Sequence, residues 1–124
     1  MNGICIAYFG FDIITKQYAI WDDHDFGPND ADSSFSGKNI SGKIFESIWS
    51  QTPVNLSENG DIRWRARNNE IALIGLDNRS HRGPIGTHIL GNNQLNWLRE
   101  TLSMYEDARV VFIAIGSQVL NDAK

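Results

Sequence analysis

Cysteine, proline and basic charge are all scarce in this chain, and each scarcity sets a limit. Cys5 stands alone among 124 residues, so no intrachain disulfide can staple the fold. Three prolines leave most of the chain free for regular elements. Lys and Arg number 11 against 15 Asp and Glu, a net charge of −4. That balance excludes the basic footprint of a nucleic-acid binder. No apolar run approaches the roughly 20 residues of a membrane-spanning helix. Residues 1–14, MNGICIAYFGFDII, are apolar but interrupted by Asp12, and they have no basic start, so they make a poor signal peptide. They read as structural, or as the start of a truncated reading frame.

What is present is a folded-protein composition: 41% hydrophobic residues, with four Trp. The length fits one domain or part of one. Residues 17–21 read as a short strand, and 22–39, rich in Asp, Ser, Gly and Asn, as a long loop. A helix is expected over 42–50, with Ile44, Phe45, Ile48 and Trp49 on one face, Ser41 as its cap and Pro53 past its end. Residues 61–67 and 70–76 read as a hairpin turning at Asn68-Asn69. In its first arm Ile62, Trp64 and Ala66 alternate with Arg63, Arg65 and Arg67, and the arginines are expected on a solvated outer face. Its second arm, Ile71 to Leu76, is apolar on both faces and belongs in a covered sheet. A helix follows over 92–104 with a core-facing Leu/Trp stripe, then a strand over 109–115. Alternating strands and helices give an α/β class.

The chemistry concentrates in Trp21-Asp22-Asp23-His24-Asp25-Phe26-Gly27-Pro28-Asn29-Asp30. Carboxylate, imidazole and amide oxygen are the ligands of hard and borderline metals. Neighbouring Asp22 and Asp23 on an extended chain point opposite ways, so only one of them is expected to face a metal. His24 can ligate, donate a proton or contact an anion. The plainer reading is a solvated acidic loop with Asx turns. A calcium loop built on Asp23, Asp25 and Asp30 is a further alternative, although the spacing is not that of an EF-hand.

Three expected strands each end in polar residues: Trp21 into Asp22, Leu76 into Asp77-Asn78-Arg79, and Ile115 into Gly116-Ser117-Gln118. Sites in open α/β sheets form outside the carboxyl ends of strands. If the three run parallel, their ends share one edge. Arg79 is expected either in the site or in a buried pair with Asp77. His81 and His88 read as surface residues.

Three segments together resemble the PhoD-like alkaline phosphatases, a branch of the calcineurin-like metallophosphoesterases. They are YAIWDDHDFGPNDADSSF (18–35), IALIGLDNRSHR (71–82), and LGNNQLNWLRETL (90–102) followed by GSQVLN (116–121). The likeness runs from about residue 17 to 121 and leaves 1–16 unplaced. It implies phosphate-ester hydrolysis at a cluster of metal ions (calcium, iron, zinc or manganese) on a metallophosphoesterase-type α/β sandwich, with a mixed sheet flanked by helices. It puts Asp23 in a metal-ligand position, with Asp22 and Asn29 as further candidates. It gives His24 the acid or phosphate-contact role. Asp77 and Arg79, with Asp25, would support the site from behind. Family members are often exported. The resemblance also implies an upstream Gly-Asp segment and a downstream Ser-Gly-Asp-x-His-like segment. Gly10-Phe11-Asp12 lies too close to the first motif, and no counterpart of the second is found. The chain therefore reads as the central part of such a domain, weakly active or inactive alone, unless self-association completes it. The alternative is a non-catalytic α/β module that binds one metal ion or a protein partner.

Overall fold

The computed structural model describes residues 16–54, 56 and 60–118. The sequence expectations for residues 1–15 and 119–121 lie outside them. Helix α1 is Asp23–Phe26 and helix α2 is Lys38–Ile48. Strands β1, Trp64–Asn68, and β2, Ile71–Leu76, are followed by a 3-10 turn at Pro84–Gly86. Helix α3, Gly91–Met104, and strand β3, Val110–Ile115, complete the order.

The three strands form one mixed sheet in the order β1-β2-β3, and with the helices they make an α/β fold. β1 pairs antiparallel with β2, Trp64 opposite Gly75 and Asn68 opposite Ile71. The hairpin turns at Asn69-Glu70, one residue later than expected. Asn69 takes φ 52°, a left-handed conformation that asparagine tolerates. β2 pairs parallel with β3, Leu76 opposite Ile115, so both strands end at the same edge.

Directly opposed residues share a face of a sheet. Ala72, Ile74 and Leu76 face α3 and form a core with Tyr105, joined by Trp97, Leu98, Val111 and Ile115. A second core gathers Trp21, Phe26, Phe45 and Ile62. The Trp21 ring meets both phenyl rings edge-on, at 5.1 Å to Phe26 and 5.5 Å to Phe45. Full burial of Phe26 alone contributes about 1.5–3 kcal/mol and fixes the acidic turn against the core.

Several sequence expectations need correction. Residues 17–21 are extended but belong to no strand. The reason is visible in their hydrogen bonds: Gln17 N–H donates to Gln51 Oε1, Ala19 N–H to Thr52 Oγ1, and Ala19 O accepts the Trp64 indole N–H. Side chains supply the partners that a neighbouring strand would otherwise give. The loop expected over 22–39 contains α1 and the first residues of α2. Helix α2 starts at Lys38, with Gly37 in the cap position and Ser41 inside the helix. Of its expected apolar face only Phe45 is buried, while Ile44 and Ile48 stay exposed.

The arginine face of the hairpin is only partly solvated: α3 lies over Arg63 and Arg65, while Arg67 stays exposed. The Arg63 and Arg65 guanidinium groups sit 5.2 and 5.9 Å from the Trp97 ring centre. Arg65 donates to Thr101 Oγ1, and Arg67 forks onto Asp107 at 2.6 and 2.9 Å. Helix α3 in turn buries Gln94 and Thr101 completely and leaves Leu102 exposed. Its sheet-facing side is thus partly polar, matched to the arginines.

Candidate functional site at the sheet edge

The carboxyl ends of β2 and β3 meet, and the turn after Trp21 joins them. A Cβ added to Gly116 would collide with the Trp21 carbonyl and with Asp22, so glycine is what lets the acidic turn lie against the end of β3. The expected convergence of three segment ends is found, although the first is not a strand.

Asp77 is the anchor. It is fully buried, and its carboxylate accepts the Trp21 indole N–H at 2.8 Å and the backbone N–H groups of Ile62, Arg79 and Ser80 at 3.1, 2.9 and 2.9 Å. Gln94, reaching across from α3, accepts the Asp77 N–H and donates to the Asp77 carbonyl, at 2.8 and 2.7 Å. Every polar group of Asp77 is therefore met. Its support role is structural and stronger than its sequence context indicates. Gln94 is a residue that sequence reasoning passed over. Its position inside a leucine-bearing helix hid it.

Arg79 does not pair with Asp77 through its side chain. Its guanidinium turns to the acidic turn instead. Nε and Nη2 donate to Asp22 Oδ1 at 3.2 and 2.9 Å. Nη1 lies 3.1 Å from Asp23 Oδ1, close enough for ion pairing but not aligned for a hydrogen bond. Asp22 Oδ1 also accepts from Asn78 Nδ2 at 3.1 Å and Ser117 Oγ at 3.2 Å. Asn78 Nδ2 also donates to Ser117 Oγ. Burial pushes the Asp22 carboxyl up, but the bonds from Arg79, Asn78 and Ser117, with the Arg79 charge, outweigh it and hold the group below the usual carboxylate range.

The remaining candidates lie farther out. Asp23 Oδ1 accepts the Asp30 N–H at 2.8 Å, which closes the turn, with Asp30 at φ 58°. His24 is exposed on α1. Asp25 Oδ2 accepts the Asp22 N–H at 3.3 Å. Asn29 is exposed and donates to the Asp30 carboxylate at 2.9 Å. So Asp22, Asp23, Asp77 and Arg79 are brought together, and Asn29 is directed to its own neighbour.

A metal centre needs several anionic or imidazole donors converging on one point. Among the described residues no group of three or more His, Cys, Asp or Glu does so. Asp22 Oδ1 already faces Arg79, Asn78 and Ser117, and one guanidinium bridges both aspartates. Asn78 Oδ1 is a buried oxygen with no hydrogen-bond partner among the described residues, but it is a neutral amide. These residues by themselves do not make a metal cage.

A second polar cluster stands nearby and was not foreseen. Asp61, 3% exposed, accepts from the Arg63 N–H at 2.8 Å, lies 2.9 Å from His81 Nε2 and pairs with Arg63 Nε at 3.2 Å. His81 is therefore not the surface residue expected of it. Twenty residues separate it from Asp61, and no local spacing signals the pair. His88 is exposed, as expected.

No helix among the described residues is long and apolar enough to cross a membrane. No family model matches the chain, and neither a curated protein nor a solved structure matches it.

Proposed function

We propose that this chain is the central part of a PhoD-like metallophosphoesterase domain and that its sheet edge contributes to the hydrolysis of phosphate esters. The observation that carries the reading is the meeting of the Asp22-Asp23-His24 turn with the ends of two parallel strands, where α/β enzymes build their sites. On this reading the sandwich fold of that superfamily surrounds the sheet, and further ligands come from outside the described residues. Asp23 makes fewer bonds to its surroundings than Asp22 and takes the ligand role. Arg79 holds it against Asp22 and fixes its direction. His24, exposed beside it, is placed to give a proton to a departing alkoxide, the task to which imidazole is suited near neutral pH.

Aryl phosphate and bis-aryl phosphate hydrolysis by the purified chain, with calcium, iron, manganese or zinc added in turn, tests this. Weak metal-dependent turnover is expected. It should fall to background in Asp23→Ala and by about tenfold or more in His24→Ala, while Glu46→Ala, on the exposed side of α2, keeps the parent rate. Metal-dependent turnover that Asp23→Ala leaves unchanged would sink the reading for this chain.

One observation favours a second reading. The Asp30 N–H bond to Asp23 Oδ1 folds residues 23–30 into one turn that carries Asp23, Asp25 and Asp30, the carboxylates a calcium loop would use. Calcium titration separates the two: stoichiometric heat without hydrolysis supports a binding module at residues 22–30.

A further inference from the structure

Among the described residues β3 pairs with β2 alone, so it forms an edge of the sheet. Its exposure follows from that position. Ile74 in the central strand is fully buried, yet Ile113, directly beside it, is 48% exposed. Ile113 lies on the α3 face. Val110 and Phe112, 41% and 57% exposed, lie on the opposite face. Burial is therefore lost across one strand spacing on both faces. A layer laid on one face would leave half of these side chains in water. A neighbouring strand brings side chains to both faces at once.

Edge strands are ordinarily protected by lysine, proline, a bulge or very short length. Residues 110–115 contain no charge, proline or glycine, and they run in unbroken register with β2. The other edge of the sheet is protected: β1 carries Arg65 and Arg67, and Val54 bridges it at Trp64. The two ends of β3 also differ in charge. Arg109 stands at its start, where its guanidinium makes only a loose 3.6 Å contact with Glu70, both side chains being largely exposed. The acidic turn stands at its end, where Ser117 donates to Asp22, whose side chain is 44% exposed.

We infer that β3 pairs with β3 of a second copy of this chain, antiparallel about a two-fold axis at Phe112. Identical apolar runs then match on both faces. Phe112 opposes its own counterpart, Val111 opposes the partner's Ile113, and Val110 opposes the partner's Ala114. Aromatic and β-branched pairs of this kind stabilise a sheet. The antiparallel direction also matches the charges. The partner's Arg109 comes opposite Ile115, two residues short of Ser117, and within an arginine's reach of the exposed side of Asp22. Parallel pairing would set Arg109 beside Arg109 instead. The second copy thus adds a cation where the acidic turn meets the sheet edge. A two-fold contact closes on itself, and the arginines of β1 discourage further copies. One strand pair is a small interface, so association in the micromolar range is expected. The dimer does not depend on the proposed hydrolysis.

Sedimentation velocity on the full chain, across the micromolar range, should show the mass rising from one chain to two. Phe112→Lys should remain monomeric with an unchanged far-ultraviolet circular dichroism spectrum. Oxidative crosslinking reads the register. Opposed Cα atoms of an antiparallel pair stand about 4.5–5.5 Å apart, a spacing that a disulfide spans. The Cys5→Ser, Phe112→Cys chain should therefore form a covalent dimer. The Cys5→Ser, Val110→Cys chain should not, because four residues of strand set its two thiols about 14 Å apart. Monomer at every concentration overturns the inference. So does a dimer that Phe112→Lys leaves intact, or growth past two copies without a plateau. If Phe112→Lys disturbs the spectrum, the two cysteine chains decide. Crosslinking of the Phe112→Cys chain alone supports the pairing, and equal crosslinking of both, or of neither, overturns it.

Discussion

The Trp21 indole N–H donates to Asp77 Oδ1 at 2.8 Å, and both side chains are fully buried. The bond ties the residue that leads into the acidic turn to the residue that ends the central strand. It makes Asp77 a buried carboxylate held by four N–H donors from three parts of the chain.

Replacing that carboxylate should be costly. Asp77→Ala leaves the Trp21, Ile62, Arg79 and Ser80 donors buried without their acceptor, and each orphaned group costs about 1–3 kcal/mol. A loss of more than about 3 kcal/mol is expected in urea unfolding. Asp77→Asn keeps one acceptor oxygen and should lose clearly less. Equal, small losses in both variants would refute this account of the anchor.

Arg79→Met should release the acidic turn. Asp22 then loses two of the charge-assisted bonds that hold its carboxyl down, and it faces the Asp23 charge without a mediator. Carboxyl-carbon NMR titration should show the Asp22 pKa moving up toward the ordinary value. Asp22 is nearly half exposed, so water screens the exposed carboxylate. The stability change should therefore stay within about 1–3 kcal/mol. An unmoved Asp22 titration would show that Asn78 and Ser117 suffice to hold it.

Acid should weaken the fold through Asp61. Burial pushes this carboxyl up, but the bonds from His81 and the Arg63 N–H, with the charges of both side chains, outweigh it and hold the folded value below the unfolded one. A lowered folded pKa means stability that is complete above the unfolded value, near 3.9, and is lost as pH falls through the folded value. Urea midpoints measured from pH 7 down to pH 2 should drop in that lower window. In Asp61→Asn the drop should be shallower. Parallel curves for the two proteins would remove Asp61 from the explanation.

The apolar runs Ile71–Leu76 and Val110–Ile115 were legible as strands because six residues between turn signals are too few for a typical helix. The polar residues at their ends were legible as a shared edge. The partner of Arg79 was not. Asp77 is two positions away in sequence and Asp22 is 57, yet the backbone N–H of Arg79 takes Asp77 and leaves the guanidinium for Asp22. Proximity in sequence favoured the wrong carboxylate. Residues 17–21 misled for a related reason. Their composition fits an extended chain, but whether an extended chain becomes a strand depends on its neighbour, and here side chains from 51, 52 and 64 are that neighbour. Gln94 and the Asp61–His81 pair were hidden because a polar residue inside an apolar pattern reads as solvent-facing until its distant partner is known.

The Ser117 bond to Asp22 closes a sequence separation of 95 residues. Contacts that span so much of a chain form slowly, because the entropy of the intervening loop must be lost first. Asp22 and Asp23 are made first, Arg79 follows the central strand, and Ser117 follows β3. The full set of bonds to Asp22 therefore closes only once β3 and Ser117 have been made.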